Sequence, residues 1–189
     1  MLPILKVNEI FYSLQGEGAR SGTANIFIRL SGCNLSCSFC DTNYIKFTPM
    51  SLPAILDKIK KYPCDWILWT GGEPTLQLNN KIIAWFKNIG YRQAIETNGI
   101  LPIPDGIDYV VVSPKKGTVL CDNLKEVDEI RLLFFKGDKL PDKKVFPKAS
   151  YHFISPVDNP KDKAYYINVI KKNPEWRLST QAHKEWGIR

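Results

Sequence analysis

The chain contains no apolar run of the roughly 18 residues that a membrane-crossing helix requires, so a membrane protein is not expected. Its first stretch, MLPILKVNEIFYSLQGEG, lacks the apolar core and the cleavage site of a secretory signal, which predicts a cytoplasmic location. Histidine is scarce: His152 and His183 are the only two, both far in sequence from the clustered cysteines. A zinc site is thereby denied a nearby nitrogen ligand. Arginine is scarce as well, 6 residues against 20 lysines. Bidentate recognition of phosphate or guanine favours the guanidinium fork over the ammonium point charge. The net charge of +7 is therefore read as surface solvation or as attraction for a small anion, and direct nucleic-acid binding is not expected. No fixed-period repeat or low-complexity tract is present, which excludes solenoid, collagenous and disordered architectures.

What is there is a globular composition, with 44% hydrophobic, 24% charged and 12% aromatic residues in a chain of 189. That length predicts a single domain over 1–189. Such a chain buries about 70% of its unfolded surface without a disulfide or a metal staple, so any metal serves function. Short β-branched or aromatic runs predict seven strands, at 25–30, 66–70, 93–97, 109–113, 130–135, 151–155 and 176–180. Three helices are expected between them. SLPAILDKIKKY places Leu52, Ile55, Leu56 and Ile59 at helical spacing behind a Ser51 cap. A second helix runs from about Leu76 to Asn88 and stops at Gly90, and a third from about Asp162 to Lys172 lies between Pro160 and Pro174. The connections after Ser113 and after Phe135 hold Gly, Pro and clustered charge, including Lys136, Lys139, Lys143, Lys144 and Lys148, and read as exposed loop. No sharp motif falls between Gly117 and Lys148. Strands alternating with helices give the α/β class. Because a complete eight-stranded barrel takes about 250 residues, the expected fold is an open partial TIM-like barrel, with a mostly parallel six- or seven-stranded sheet and about three main helices. Polar segments follow the strands, among them SGCNLSCSFCDT, GGEP, NG, SPKK, SPVDNP and QAHK. Parallel sheets bind ligands at that edge.

A reducing cytosol disfavours disulfides, so the five cysteines need another explanation. Cys33, Cys37 and Cys40 form a C-x-x-x-C-x-x-C loop within 32–42, whereas Cys64 and Cys121 stand alone and read as ordinary thiols. Three thiolates on one loop can wrap a metal centre and leave one position open. A closed zinc site would need a fourth ligand. A four-iron cluster is ordinarily held by thiolates, and three of them leave one iron open to a substrate or cofactor. Buried structural thiols are the competing reading, but Asn34, Ser36, Ser38 and Asp41 intersperse the cysteines with polar residues. The loop, with Phe39 before its last cysteine, resembles that of the radical S-adenosylmethionine (SAM) enzymes. TGGEP at Thr70–Pro74 resembles their glycine-rich segment beside the methionine end of SAM. Without side chains Gly71 and Gly72 let backbone approach a ligand, and the Glu73 carboxylate can receive an ammonium. SPK at Ser113–Lys115 has a similar position.

EIFYSLQGEG, NIFIRLSGCNLSC and FCDT, together with the C-terminal WRLSTQAHKEWGIR, resemble the 7-carboxy-7-deazaguanine synthase family of queuosine biosynthesis. The resemblance implies conversion of 6-carboxy-5,6,7,8-tetrahydropterin to 7-carboxy-7-deazaguanine and ammonia by radical ring contraction, with a 4Fe-4S cluster, SAM and Mg2+ as cofactors. It implies a homodimer and an external electron donor of the flavodoxin or ferredoxin type. Cys33, Cys37 and Cys40 would hold the cluster and Thr42 the magnesium, although Thr42 alone also reads as a helix cap. Phe39, Asp41, Gly72, Glu73, Ser113, Pro114 and Lys115 would face SAM. Leu14, Gln15, Gly16, Arg29 and Thr70 would contact the pterin, Arg29 offering a fork to its carboxylate. A rim salt bridge is the alternative for Arg29, and an ordinary loop for Gly16 and Gly18. Glu17 reads as support for that loop, Glu96 and Thr97 as partners of ribose or substrate, and Ser155 and Pro156 as a loose match to another cofactor-facing loop. His183 reads as structural or solvated. The resemblance assigns no side chain as catalytic acid or base. Two other classes share some of these features: an activating enzyme that places a radical on a partner protein's glycine, and a metal-stabilised tRNA-binding module. QGEG and Arg29 argue against the former; TGGEP and SPK are unexplained by the latter.

Overall fold

The computed structural model describes residues 3–40, 45–157 and 162–189, and the chain folds as two compact units. The first comprises Met1–Ser13, Ala24–Thr97 and Leu101–Val110. Its strands are β1 (Ile4–Leu14), β2 (Ala24–Leu30), β3 (Thr48–Ser51), β4 (Trp66–Gly71), β5 (Arg92–Thr97) and the start of β6 (Tyr109–Val112). They follow the order β3-β1-β2-β4-β5-β6. Strand β3 runs antiparallel to β1, and β2, β4 and β5 are parallel, with Arg29 opposite Thr70 and Leu68 opposite Ala94.

Side chains alternate across a strand, and here the alternation separates core from site. Ile26, Ile28 and Leu30 of β2, Ile67 and Trp69 of β4, and Ile95 of β5 pack in one core with helices α1 (Leu52–Ile59) and α2 (Asn80–Asn88), whose Leu52, Ile55, Ile59, Ile82, Ile83 and Phe86 are fully buried. Burying each such side chain contributes about 1.5–3 kcal/mol. Buried polar atoms there are matched: Trp69 Nε1 donates to Gln93 Oε1 and Gln93 Nε2 to the Ile83 carbonyl. The alternate positions Phe27, Leu68 and Ala94 form a smaller cluster with Phe11.

Ser51 caps α1 as its sequence predicts, its side chain accepting from the Ala54 N–H at 3.3 Å. Helix α2 begins later than the expected Leu76. Asn79 accepts the Lys81 and Ile82 N–H groups and so starts the helix there, while Pro74–Leu76 forms a separate 3-10 turn.

The second unit comprises Leu14–Thr23, Asn98–Ile100 and Val111–Arg189. The remainder of β6 is followed by β7 (Glu126–Phe134), β8 (Lys148–Pro156) and β9 (Arg177–Leu178), all parallel. Helix α3 (Lys163–Lys172) supplies Tyr166 to a core with Phe134, Ile154 and Trp176, and a short α4 (Ala182–Trp186) follows. Among the described residues no α-helix lies between Ser113 and Asp162, in keeping with the Gly, Pro and charge found there. All seven expected strands are present. Strands β1 and β3 are additional: β1 alternates cleanly only at its start, and four-residue β3 is too short to show a period. Among the described residues each of β3 and β9 has one strand neighbour, so the mostly parallel sheet is not closed. Among the described residues no helix is long and apolar enough to cross a membrane.

Candidate active site

One level beyond the Phe27–Leu68–Ala94 cluster, the same strand face turns polar. Arg29 of β2 stands opposite Thr70 of β4, and Thr70 Oγ1 donates to Glu96 Oε2 of β5 at 3.3 Å. On the other side Arg29 Nε donates to Glu9 Oε1 of β1 at 2.8 Å. The Arg29 guanidinium lies 5.7 Å from the Phe11 ring centroid, and Phe11 stacks on Phe27 at 4.7 Å. The result is a row of carboxylate, guanidinium, hydroxyl and carboxylate over an apolar floor. Period two in three short strands brings together Arg29, Thr70 and Glu96, which the sequence marked separately. The salt bridge that was the alternative for Arg29 is present, with both side chains about three-quarters buried.

The cysteine loop leaves β2, and TGGEP closes β4 beside it. Gly72 N–H donates to the Leu30 carbonyl at 3.0 Å and Glu73 N–H to the Gly32 carbonyl at 2.8 Å. Any Cβ on Gly72 would meet the Gly32 carbonyl, and Gly71 adopts φ +120°, so glycine is what allows these two backbones to touch. Glu73 is 1% exposed. Its Oε1 accepts from the Thr75 N–H at 3.1 Å, the Thr75 hydroxyl at 2.6 Å and the Thr97 hydroxyl at 2.7 Å. The carboxylate expected to receive an ammonium thus also ties TGGEP to the end of β5. Gln77 Nε2 adds a bond to the Ser31 carbonyl at 2.7 Å.

Cys33 and Cys37 are half-buried, Cys40 is exposed, and none is in a disulfide. Cys40 N–H donates to the Cys37 carbonyl at 3.1 Å, which turns the loop. Burial pushes the Cys33 thiol up; the Leu35 N–H on its sulfur opposes this, while negative charge on Glu73, Cys37 and Cys40 reinforces it. A Cys33 thiol held protonated in this way suits a cationic centre, because binding iron deprotonates its thiol ligands and compensates their charge. Among the described residues no three His, Cys, Asp or Glu side chains are grouped as a site for one metal ion. In a four-iron cluster each cysteine ligates a different iron, so its ligands do not crowd round one centre. Three free thiols on one turned loop are donors of the kind such a cluster takes, and on that chemistry the residues fit it. Phe39 is 39% exposed. Asp41 and Thr42 lie outside the described residues. Cys64 bonds the Ala24 carbonyl and accepts the Trp66 N–H, as an ordinary packed thiol does, and Cys121 is half-buried.

In the second unit Leu14 is exposed, whereas Gln15 and Gly16 are buried. Gln15 N–H donates to the Thr23 carbonyl and Gly22 N–H returns to the Gln15 carbonyl, each at 2.8 Å. Ala182 N–H reaches the Gly16 carbonyl at 2.9 Å, and a Cβ on Gly16 would meet His183, so His183 packs against this turn. Lys115 folds back, its Nζ donating to both the carbonyl and Oγ of Ser113 at 2.7 Å, with Pro114 buried between. Ser155 Oγ and His152 Nε2 are buried with no hydrogen-bond partner among the described residues. The sequence reading missed Glu129 and Arg131 of β7, both buried. Their signal was weak: β7 reads EVDEIRLLF, in which Glu126 and Asp128 are charged as well, so Glu129 and Arg131 do not stand out.

A family model described as the Radical SAM superfamily matches residues 27–115, which contain the cysteine loop, TGGEP and SPK. The 7-carboxy-7-deazaguanine synthase of Bacteroides thetaiotaomicron is 41% identical over 184 residues, covering 97% of this chain and 98% of the relative. That of Neisseria meningitidis serogroup B is 37% identical, with 98% and 95% covered. The crystal structure of QueE from Escherichia coli is similar with a TM-score of 0.76 at 26% identity, over 95% of each chain. With its cysteine loop, its glycine contact and its near-complete match to these relatives, the chain belongs to the 7-carboxy-7-deazaguanine synthase family of radical SAM enzymes.

Proposed function

We propose that this chain converts 6-carboxy-5,6,7,8-tetrahydropterin to 7-carboxy-7-deazaguanine and ammonia in queuosine biosynthesis. The observation that carries the reading is the backbone contact between Gly72 and Gly32, which joins the loop suited to a cluster with the segment suited to SAM. When bound, a 4Fe-4S cluster and SAM supply the one-electron chemistry that removes a hydrogen atom from the pterin. The chain's own residues bind and orient. Cys33, Cys37 and Cys40 hold the cluster; Phe39, Asp41, Gly72, Glu73, Ser113, Pro114 and Lys115 face SAM. Leu14, Gln15, Gly16, Arg29 and Thr70 are the residues assigned to the pterin. Arg29 meets its carboxylate, held in orientation by Glu9 and by the Phe11 ring. Thr42 holds Mg2+, a hard ion that takes oxygen ligands. The remaining features of the reading are one radical SAM domain over 1–189, a homodimer, a flavodoxin- or ferredoxin-like electron donor and a cytoplasmic location.

The test is anaerobic reconstitution with iron and sulfide, then incubation with SAM, reductant, magnesium and the carboxytetrahydropterin, with products identified by mass spectrometry. Deazaguanine product is expected together with 5′-deoxyadenosine. An intact cluster that cleaves SAM yet yields no deazaguanine sinks the substrate assignment.

A further inference from the structure

A buried carboxylate loses its hydration, so it persists only where other groups replace the lost water. Glu129 of β7 has a fully buried side chain, and Arg131, two residues on and therefore on the same face, has one 8% exposed. Arg131 Nε donates to Glu129 Oε1 at 2.8 Å, and its Nη1 stands 3.3 Å from Glu17 Oε2. One guanidinium thus joins an interior carboxylate to one in the turn that follows Leu14.

That turn is held from two directions. Its 3-10 segment, Gly18–Arg20, leaves its first N–H groups unsatisfied internally. Ala19 N–H goes to Glu129 Oε2 and Gly18 N–H to Ser179 Oγ, each at 3.0 Å. Gln181 Nε2 donates to Glu17 Oε1 at 3.0 Å, and Glu17 N–H to Gln15 Oε1 at 3.1 Å. Gly18 has φ +68°, and a Cβ there would meet the Glu129 carboxylate. A buried ion pair is a poor way to gain stability alone, because a well-packed apolar pair does as well. This one reaches across to a turn and fixes it by direction as well as by charge.

We propose that Glu129 and Arg131 are positioning residues for pterin binding: they set the conformation of the Leu14–Gly18 turn, Glu17 included, without touching substrate. This deepens the function proposed above and rests on it, since Leu14, Gln15 and Gly16 are assigned there to the pterin. The test uses the reconstituted holoenzyme, varying pterin at saturating SAM and then SAM at saturating pterin. Arg131→Lys keeps the charge and loses the fork. The KM for pterin should rise about tenfold, with kcat within about threefold of the unmodified chain and the KM for SAM unchanged. A merely structural role would lower the melting temperature and the active fraction but leave the pterin KM alone, and that result overturns the proposal. In a cycle with Glu17→Gln the two effects should be non-additive, and full additivity also counts against it. If Arg131→Lys does not fold, Ser179→Ala, which removes only the acceptor of the Gly18 N–H, carries the test: pterin KM must rise, and an unchanged KM refutes the idea. Failure of the unmodified chain to make deazaguanine is a separate result that removes the function itself, seen before any variant is assayed.

Discussion

Glycine 72 shows how a missing side chain can do chemical work at the residue scale. Its Cβ position is taken by the Gly32 carbonyl and the Cys33 N–H, backbone atoms that cannot rotate away. Gly72→Ala should therefore displace the cysteine loop, costing about 1–3 kcal/mol in denaturant melts and abolishing SAM cleavage. The cysteines divide just as sharply. Cys37→Ala should remove the brown cluster absorbance while Cys64→Ala, whose thiol bonds to Ala24 and Trp66, leaves it. Equal loss from both would refute the ligand choice. His152 gives a pH prediction. Burial, and then the charge of Lys143, push its imidazole below the usual histidine value. The unfolded chain takes up this proton near pH 6.5 and the folded chain only at lower pH. Stability from this group is complete above that value and falls as the solution is acidified through it. Denaturant midpoints between pH 8 and 5 should show the decline, and His152→Phe should flatten it.

Elements were legible in the sequence where one face is apolar and the period is clear. Ile26, Ile28 and Leu30, or Leu52, Ile55 and Ile59, mark their strand and helix because alternate or helical spacing leaves no other face to bury. Strand β1 was read for its chemistry and not as a strand, because beyond Val7 both its faces are partly covered and the apolar alternation fades. The start of α2 was missed by four residues, since Pro74–Leu76 looks helical while the Asn79 side chain sets the true start. Asn79→Ala should accordingly cost about 1 kcal/mol, measured by chemical denaturation, with the cluster loop unaffected. The site was legible as motifs, cysteine loop, TGGEP and SPK. Its polar row was not, because Glu9, Arg29, Thr70 and Glu96 meet only through strand register. Glu129 and Arg131 were hidden for a similar reason: their partner Glu17 is over a hundred residues away in sequence.

Across the whole molecule the two units differ in how much they bury. Among the described residues the main core of the first holds 16 buried side chains and that of the second 4. Amide hydrogen exchange should therefore be slowest in β2, β4 and β5 and faster in β9 and α3; equal protection throughout would contradict this. Each unit also contains one nearly inaccessible indole, Trp69 at 0% and Trp176 at 2% exposure. Trp176 meets the His152 ring edge-on, centroids 5.4 Å apart. A charged imidazole quenches indole emission at such range, so the second unit contains its own optical indicator. Dimming of Trp176 fluorescence on acidification would report protonation of His152 in the folded chain without any label, and a variant keeping only that tryptophan would let the titration be followed by eye of the fluorimeter alone.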